Sequence, residues 1–352
     1  MFRVRSSAVV IGALLLVATA CGSDAKSEST APPATASSTS APSNGASSTP
    51  TTASTTTSDA ATSSTDGAAA DTFSVQAANG TVTLPAKPMR IVSLAPSQTE
   101  TLFAIGAGDQ VIAVDDQSNY PAEAEAKKST LSGYTPNVEA IASYKPDLVV
   151  IADDFNGLAA QLQAVNIPVW SGPAATSLDD AYSQIEQLGV LTGHVADAAG
   201  VVAKMQSDIA AITKDVVASD PPLTYYHELD NTLFSITSDT FIGQIYAMAG
   251  LRNIADGAEA GNSYPQLNNE FIITANPDLI FLADVKCCGE SAATVKARDG
   301  WGGIAAVKNG HVIELDDDVV SRWGPRIPDF LRDVVDAVKS TQSGTVTTAT
   351  SG

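Results

Sequence analysis

The sequence predicts an α/β protein of two lobes, each a mostly parallel sheet with helices on both faces, joined by one long helix. Three observations carry that expectation. Short apolar, β-branched runs alternate with helical segments from about residue 88 to 340, the pattern of parallel strands with crossover helices. "NVEAIASYKPDLVVIAD" (Asn137–Asp153) is echoed by "NNEFIITANPDLIFLAD" (Asn268–Asp284), with N-x-E-x-I, P-D-L-V/I and A-D at a constant offset of 131 residues. Between the two echoes, residues 196–219 contain no proline, and Val202, Met205, Ile209, Ile212 and Val216 fall at spacings of three and four, one apolar stripe of a helix.

The elements follow in order. "RIVSLAP" reads as a strand, and Ser97 and Glu100 stand at capping-box spacing before a helix that stops near Gly106. "VIAVDD" is a second strand. "VEAIASY" is a short helix ending near Lys145, because Pro146 biases its predecessor away from helix. "DLVVIAD" shows no alternation, so it predicts a strand covered on both faces. "IPVWSG" closes the first lobe. Ser177 and Asp180 form a second capping-box pair for a helix to about Leu191. After the "TGH" turn the striped helix would run on the order of 30 Å, ended by Pro221 and Pro222.

The second lobe opens with "TYYHELD" and "LFSIT" as strands around a "DN" turn. Helix "TFIGQIYAMAG", helix "EFIITA", strands "DLIFLAD" and "HVIELDDD", and terminal helix "PRIPDFLRDVVDAVKS" complete it. In each lobe a short helix with a glutamate in its first turn feeds a central strand. The strand ends would deliver Asp153–Asp154 and Asp284 to loops, where open α/β sheets bind ligands.

The N-terminus carries Arg3 and Arg5, then "AVVIGALLLVATA", too short to span a membrane comfortably. "VATAC" resembles the lipobox of bacterial lipoproteins, which makes Cys21 the acylated residue, although Ala18 stands where leucine is usual; a plain secretory signal is the alternative. The expected divisions are signal 1–20, lipidated cysteine and disordered Ser/Thr/Ala-rich linker 21–71, N-terminal lobe 72–176, helical backbone 177–220, C-terminal lobe 221–340 and disordered tail 341–352. The net charge of −20 speaks against nucleic acid as a partner. The expected location is extracytoplasmic, lipid-anchored on the outer face of the cell membrane.

"RIVSLAPSQTETLFAIGAGDQVIAVDDQSNYP", "GYTPNVEAIASYKPDLVVI" and "SRWGPRIPDFL" resemble, in that order, the iron-chelate and cobalamin substrate-binding proteins of ABC importers, over about residues 88–335. The resemblance implies a class III periplasmic-binding-protein fold: two three-layer lobes on one rigid helix, with limited hinge closure and the ligand between them. It implies one exposed glutamate per lobe docking on arginine pockets of the permease dimer, and Glu139 and Glu270 fall at those positions. Taken alone, each is an acid favoured by a helix N-terminus. It also implies ligand contacts from Tyr120, Tyr134 and Tyr264, where aromatic faces suit corrin rings and ferric chelates, and from Asp318 and Arg322, with Trp323 beside them.

The plainer alternatives are tyrosines packed on neighbouring loops and a surface ion pair. Arg322 suits an anionic ferric siderophore, while the tyrosines and the Asp–Arg pair are closer to the cobalamin-binding members. Arg326 is assigned a structural role. His227, beside Glu228, is a further ligand candidate at a strand end. The expected ligand is a ferric siderophore or corrinoid, with no resident cofactor and no metal site, and the expected state is a monomer.

Cys287 and Cys288 are adjacent. Their Cα atoms lie only about 3.8 Å apart, below the usual span of bridged cysteines. A vicinal disulfide, two thiols and disulfides to another chain remain as alternatives. Against an enzyme, the sequence has no G-x-G-x-x-G, Walker loop or G-x-S-x-G, and His194, His227 and His311 are scattered. A zinc-binding relative would need more histidines, and no Tyr/His pair suggests haem ligation. A sensing or interaction lipoprotein with the same fold is the competing reading outside transport.

Overall fold

The computed structural model describes residues 73–343. The signal segment, Cys21, the linker up to residue 72 and the tail from 344 lie outside the described residues.

A hairpin comes first: β1 (Phe73–Ala77) pairs antiparallel with β2 (Gly80–Leu84). The N-terminal lobe then runs β3 (Ile91–Ser93), α1 (Pro96–Ala104), β4 (Val111–Val114), α2 (Ala122–Glu125), α3 (Val138–Ser143), β5 (Leu148–Ile151), α4 (Leu158–Ala164) and β6 (Val169–Ser171). Its strands lie in the order β4-β3-β5-β6, all parallel. Two helices follow, α5 (Leu178–Thr192) and α6 (Val195–Thr213).

The C-terminal lobe runs β7 (Thr224–Glu228), α7 (Phe241–Met248), β8 (Arg252–Asn253), α8 (Asn269–Ala275), β9 (Leu279–Leu282), α9 (Val285–Cys288), α10 (Ala292–Ala297), α11 (Ala305–Asn309), β10 (Val312–Glu314), α12 (Asp317–Val320) and α13 (Ile327–Ser343). Its order is β10-β9-β7-β8, again all parallel.

The echoed strands behave alike because a strand sends successive side chains to opposite faces. In β5, Leu148 and Val150 enter one core, and Val149 and Ile151 enter another behind the sheet. In β9, Leu279 and Phe281 enter the first core, and Ile280 and Leu282 enter a third. That first core is common to both lobes. It runs from Leu148 and Val150 through Ile185, Leu188 and Leu191 of α5, Val202 and Met205 of α6 and Phe330, Leu331, Val334 and Val338 of α13 to Leu279 and Phe281. The lobes are therefore joined through the inner faces of α5, α6 and α13, which share that core while the outer face of the striped helix α6 stays exposed. Gly189 of α5 is required there, because a Cβ would sit 2.4 Å from that of Ala198 on α6.

Several expectations need correction. The striped helix ends at Thr213, short of Ser219; Val216 folds back through a turn (amide to the Thr213 carbonyl, 3.1 Å) and packs against the shared core. Ser97 and Glu100 form no capping box: Ala95 is the N-cap, without a side-chain bond, and both Ser97 and Glu100 are buried. "LFSIT" is not a sheet strand. Ser235 and Thr237 donate instead to the carbonyls of Pro265 and Ser263, both at 2.9 Å. The last helix reaches Ser343, so Thr341–Ser343 are helical. The β1–β2 hairpin was not expected; it turns at Ala78–Asn79, and Gly80 opens β2 at a positive φ of 105° that glycine adopts readily.

Because the two lobes share one core, Phe281→Ala should destabilise the chain by about 3–5 kcal/mol and leave a single urea transition for both lobes. Two separate transitions would contradict the shared core.

Candidate ligand-binding cleft

The cleft opens at the C-terminal ends of β3 and β5, where parallel sheets leave loops free to hold a ligand. Its volume is about 260 Å³; Leu94, Ala95 and Ser97 form one side with Ile151, Ala152 and Asp153, and the facing wall is Asp318, Ser321, Arg322 and Trp323. A second hollow of about 280 Å³ shares Ser321, Arg322 and Trp323 and extends past Thr176 to Phe241 and Tyr264. Tyr134 lines the first hollow and Tyr264 the second, both exposed.

Phe155 is a residue that sequence reasoning missed. Its ring lies 6.1 Å from that of Tyr134, so the two form an aromatic edge on the N-terminal lobe. The signal was its position: an aromatic just beyond a fully buried parallel strand. Gly133 lets Tyr134 reach this edge, since any Cβ at 133 would lie 2.4 Å from the Leu94 carbonyl oxygen. Trp323 is oriented by its indole, which donates to Gln184 Oε1 at 3.1 Å; that same oxygen accepts from Gln98 Nε2 at 2.7 Å.

Tyr120 lies elsewhere. It borders a groove of about 840 Å³ formed by α1, α2, α6 and the start of α13, and the Arg326 guanidinium sits 4.2 Å over its ring.

Arg322 is on the cleft wall but is committed to partners. Nη1 donates to Glu100 Oε1 and Asn119 Oδ1, both at 2.8 Å; Nη2 donates to Asp318 Oδ1 at 2.6 Å and to the Gln117 carbonyl at 3.1 Å. Arg326 also grips Glu100, with Nε to Oε2 at 2.7 Å. Burial alone would raise Asp318, yet the bond from Asn119 and the charges of Arg322 and Lys286 bring its carboxyl below the usual aspartate range. Asp115, also lining the cleft, is pushed upward by burial.

His227 and Glu228 do not face the cleft. β7 is an inner strand, and both residues are 0 % exposed. His227 Nδ1 pairs with the Tyr246 hydroxyl at 2.8 Å, and burial pushes the imidazole down to about 3. Glu228 is held by both Arg298 nitrogens, one at 2.6 Å. Asp284 is likewise buried rather than presented to a loop; no donor reaches its carboxyl among the described residues. Burial first, then the charges of Glu228 and Glu290, raises it to about 7. Asp153, its counterpart in the echo, is exposed and lines the cleft.

Glu139 and Glu270 are exposed in the first turns of α3 and α8, and neither forms an ion pair among the described residues. Their helices are capped identically: Asn137 accepts from Ala140 N and Asn268 from Phe271 N, each at 2.9 Å. Each of these helices is followed directly by the fully buried strand of its echo, β5 or β9. Cys287 and Cys288 are bonded to each other and exposed. No helix among the described residues is long and apolar enough to cross a membrane.

Two lobes joined by a shared helical core, with a cleft at the strand ends, define a solute-binding protein of the class III periplasmic type. Residues 91–319 match the model of the periplasmic binding protein family, and the chain belongs to it. It is 32% identical over 270 residues to an uncharacterised ABC transporter substrate-binding lipoprotein, YvrC, of Bacillus subtilis, covering 74% of this chain and 83% of the relative. It is 31% identical over 273 residues to a cobalamin-binding protein of Halobacterium salinarum, covering 75% and 73% respectively. Among solved structures, one from Staphylococcus epidermidis, described as a possible iron-binding (periplasmic solute-binding) protein, aligns with a TM-score of 0.62 and 27% identity, covering 72% of this chain and 99% of the other. These relatives are binding proteins, and the chain is a binding protein rather than an enzyme.

Glu100→Gln should cost about 3–5 kcal/mol in urea unfolding, since it leaves two arginines around a buried site without their shared charge. Asp284 holds a proton in the folded chain that the unfolded chain releases above the ordinary aspartate range. Its contribution to stability therefore falls as pH rises from about 4 through about 7. Asp284→Asn should remove that slope and raise the melting midpoint at pH 8 by about 2–4 °C, with little change at pH 4; calorimetry across pH checks it.

Proposed function

We propose that this protein captures a corrinoid in the interlobe cleft and delivers it to the permease dimer of an ABC importer, tethered outside the cell membrane by an acylated Cys21. The observation that carries this reading is the cleft itself. The aromatic edge of Tyr134 and Phe155 faces Trp323, a pair of surfaces suited to a large flat ring. The charge balance favours a corrinoid over an anionic ferric siderophore: Arg322 is already matched by Glu100 and Asp318, and Asp115 and Asp153 add acid to the same cleft. The name of the Halobacterium salinarum relative supports the same choice. A ferric siderophore is the second reading, favoured by the description of the Staphylococcus epidermidis structure.

Glu139 and Glu270 would meet basic pockets of the permease, one from each lobe. Two acids held at fixed separation by the shared core set register and encounter rate more than affinity. The equivalent, exposed and unpaired placement of both supports transport over a purely sensing role.

Tryptophan-fluorescence titration with cyanocobalamin, haem and a ferric hydroxamate tests the ligand; saturable quenching by cyanocobalamin alone is expected, and none would reject the corrinoid. Tyr134→Ala with Phe155→Ala should weaken that binding about tenfold, or about 1.4 kcal/mol. Glu139→Ala with Glu270→Ala should leave cyanocobalamin affinity within about twofold and abolish uptake in cells carrying the cognate permease. An equal loss of binding would place these carboxylates in the pocket or the fold.

A further inference from the structure

The bonded pair Cys287–Cys288 has no part in the transport reading. A disulfide between consecutive residues closes almost no chain, so it lacks the loop entropy that lets longer bridges staple a fold. It is also exposed, together with Lys286 and Gly289. What it constrains is α9, and α9 is wired to the cleft. The Val285 amide donates to Asp317 Oδ1 at 3.0 Å, and the amides of Lys286 and Cys287 donate to Oδ2 at 2.9 and 2.8 Å. Lys286 Nζ reaches Asp316 at 2.6 Å and Asp318 at 3.2 Å. Asp318 in turn accepts from Arg322 at 2.6 Å and, across the lobes, from Asn119 at 2.9 Å. A short relay thus links the disulfide-bearing helix to the residue that ties cleft wall to opposite lobe.

We propose that Cys287–Cys288 is a reversible dithiol/disulfide site open to an extracytoplasmic dithiol, and that its oxidised form pins α9 so that Lys286 and Asp317 hold the cleft rim in place. In the exchange, a thiolate of the dithiol attacks one cysteine sulfur. The Cys287–Cys288 bond breaks, a mixed disulfide forms, and the displaced cysteine thiolate takes a proton. The second thiol of the reagent then attacks the mixed disulfide and leaves as part of a cyclic disulfide. The dithiol loses two electrons and two protons, and the cysteine pair gains them. The third cysteine of the chain is Cys21, and one thiol cannot supply both electrons, so the reductant is the external dithiol. Once reduced, the 287–288 segment regains torsional freedom, and ordering α9 costs more entropy. The grip of Lys286 on Asp318 weakens accordingly. The inference does not depend on which ligand is bound.

The test uses the full chain without added ligand. Native protein is treated with dithiothreitol, alkylated and weighed, and amide hydrogen exchange is compared between the two redox states. We expect complete reduction without denaturant, and exchange at 285–288 and 318–322 raised about tenfold or more, with β5 and β9 unchanged. Cys287→Ser with Cys288→Ser should show the reduced pattern without reagent. Should that variant not fold, Lys286→Ala with the disulfide intact should raise exchange at 318–322 while leaving 285–287 protected. A disulfide that yields only in denaturant, or one that is reduced with exchange at 318–322 unchanged, overturns the proposal; so does Lys286→Ala with no effect there.

Discussion

One buried carboxylate holds the halves of this chain in register. Glu100, in the first helix of the N-terminal lobe, accepts from Arg322 and Arg326, which lie 222 and 226 residues further along. In such a dry site an unpaired charge is expensive, so both arginines are fixed where Glu100 is. The consequences spread outward. Arg322 is set against Asn119, the Gln117 carbonyl and Asp318, and becomes a preformed part of the cleft wall. Arg326 is laid over the Tyr120 ring, on the border of the groove between α1, α6 and α13.

The shared core makes that register durable. Phe281, Tyr225, Tyr246 and Phe330 stack and meet edge-on within one apolar layer that continues into the N-terminal sheet. Separating the lobes widely would expose that layer to water, at about 25 cal/mol per Å² of apolar surface. Small rocking is the motion such a construction permits, and a cleft that is largely formed beforehand spends little binding energy on ordering itself.

The internal echo is symmetrical in architecture and asymmetrical in chemistry. The same Asn-capped helix precedes the same doubly covered strand in both lobes, and each leaves an exposed glutamate in its first turn. Beyond the strands the copies part. Asp153 opens into the cleft, whereas Asp284, at the start of α9, is buried beside Glu228, Glu290 and Arg298. One lobe presents its strand end to the cleft; the other buries it at the start of the helix that carries Cys287 and Cys288.

Much of this protein is legible in its sequence, and most of that in the internal echo at an offset of 131 residues. Buried strands without alternation, a glutamate in the first turn of each echoed helix, and the family resemblance of three separated stretches pointed to two parallel α/β lobes with paired acids. Those signals are local, and local backbone preferences expressed them directly. The resemblance also offered Tyr134, Tyr264, Asp318, Arg322 and Trp323 as ligand residues, and the structure brings them to the walls of two adjoining hollows. Only the tertiary structure decided which polar groups face water. Glu100 reads as a helix cap until two arginines from the distant C-terminal segment neutralise it. His227 and Glu228 read as rim residues until α7 and Arg298 cover an inner strand. Tyr120 belongs to a cleft by motif, yet to a groove by packing. Burial and pairing depend on contacts across hundreds of residues, and one stretch of sequence does not carry its partner's position.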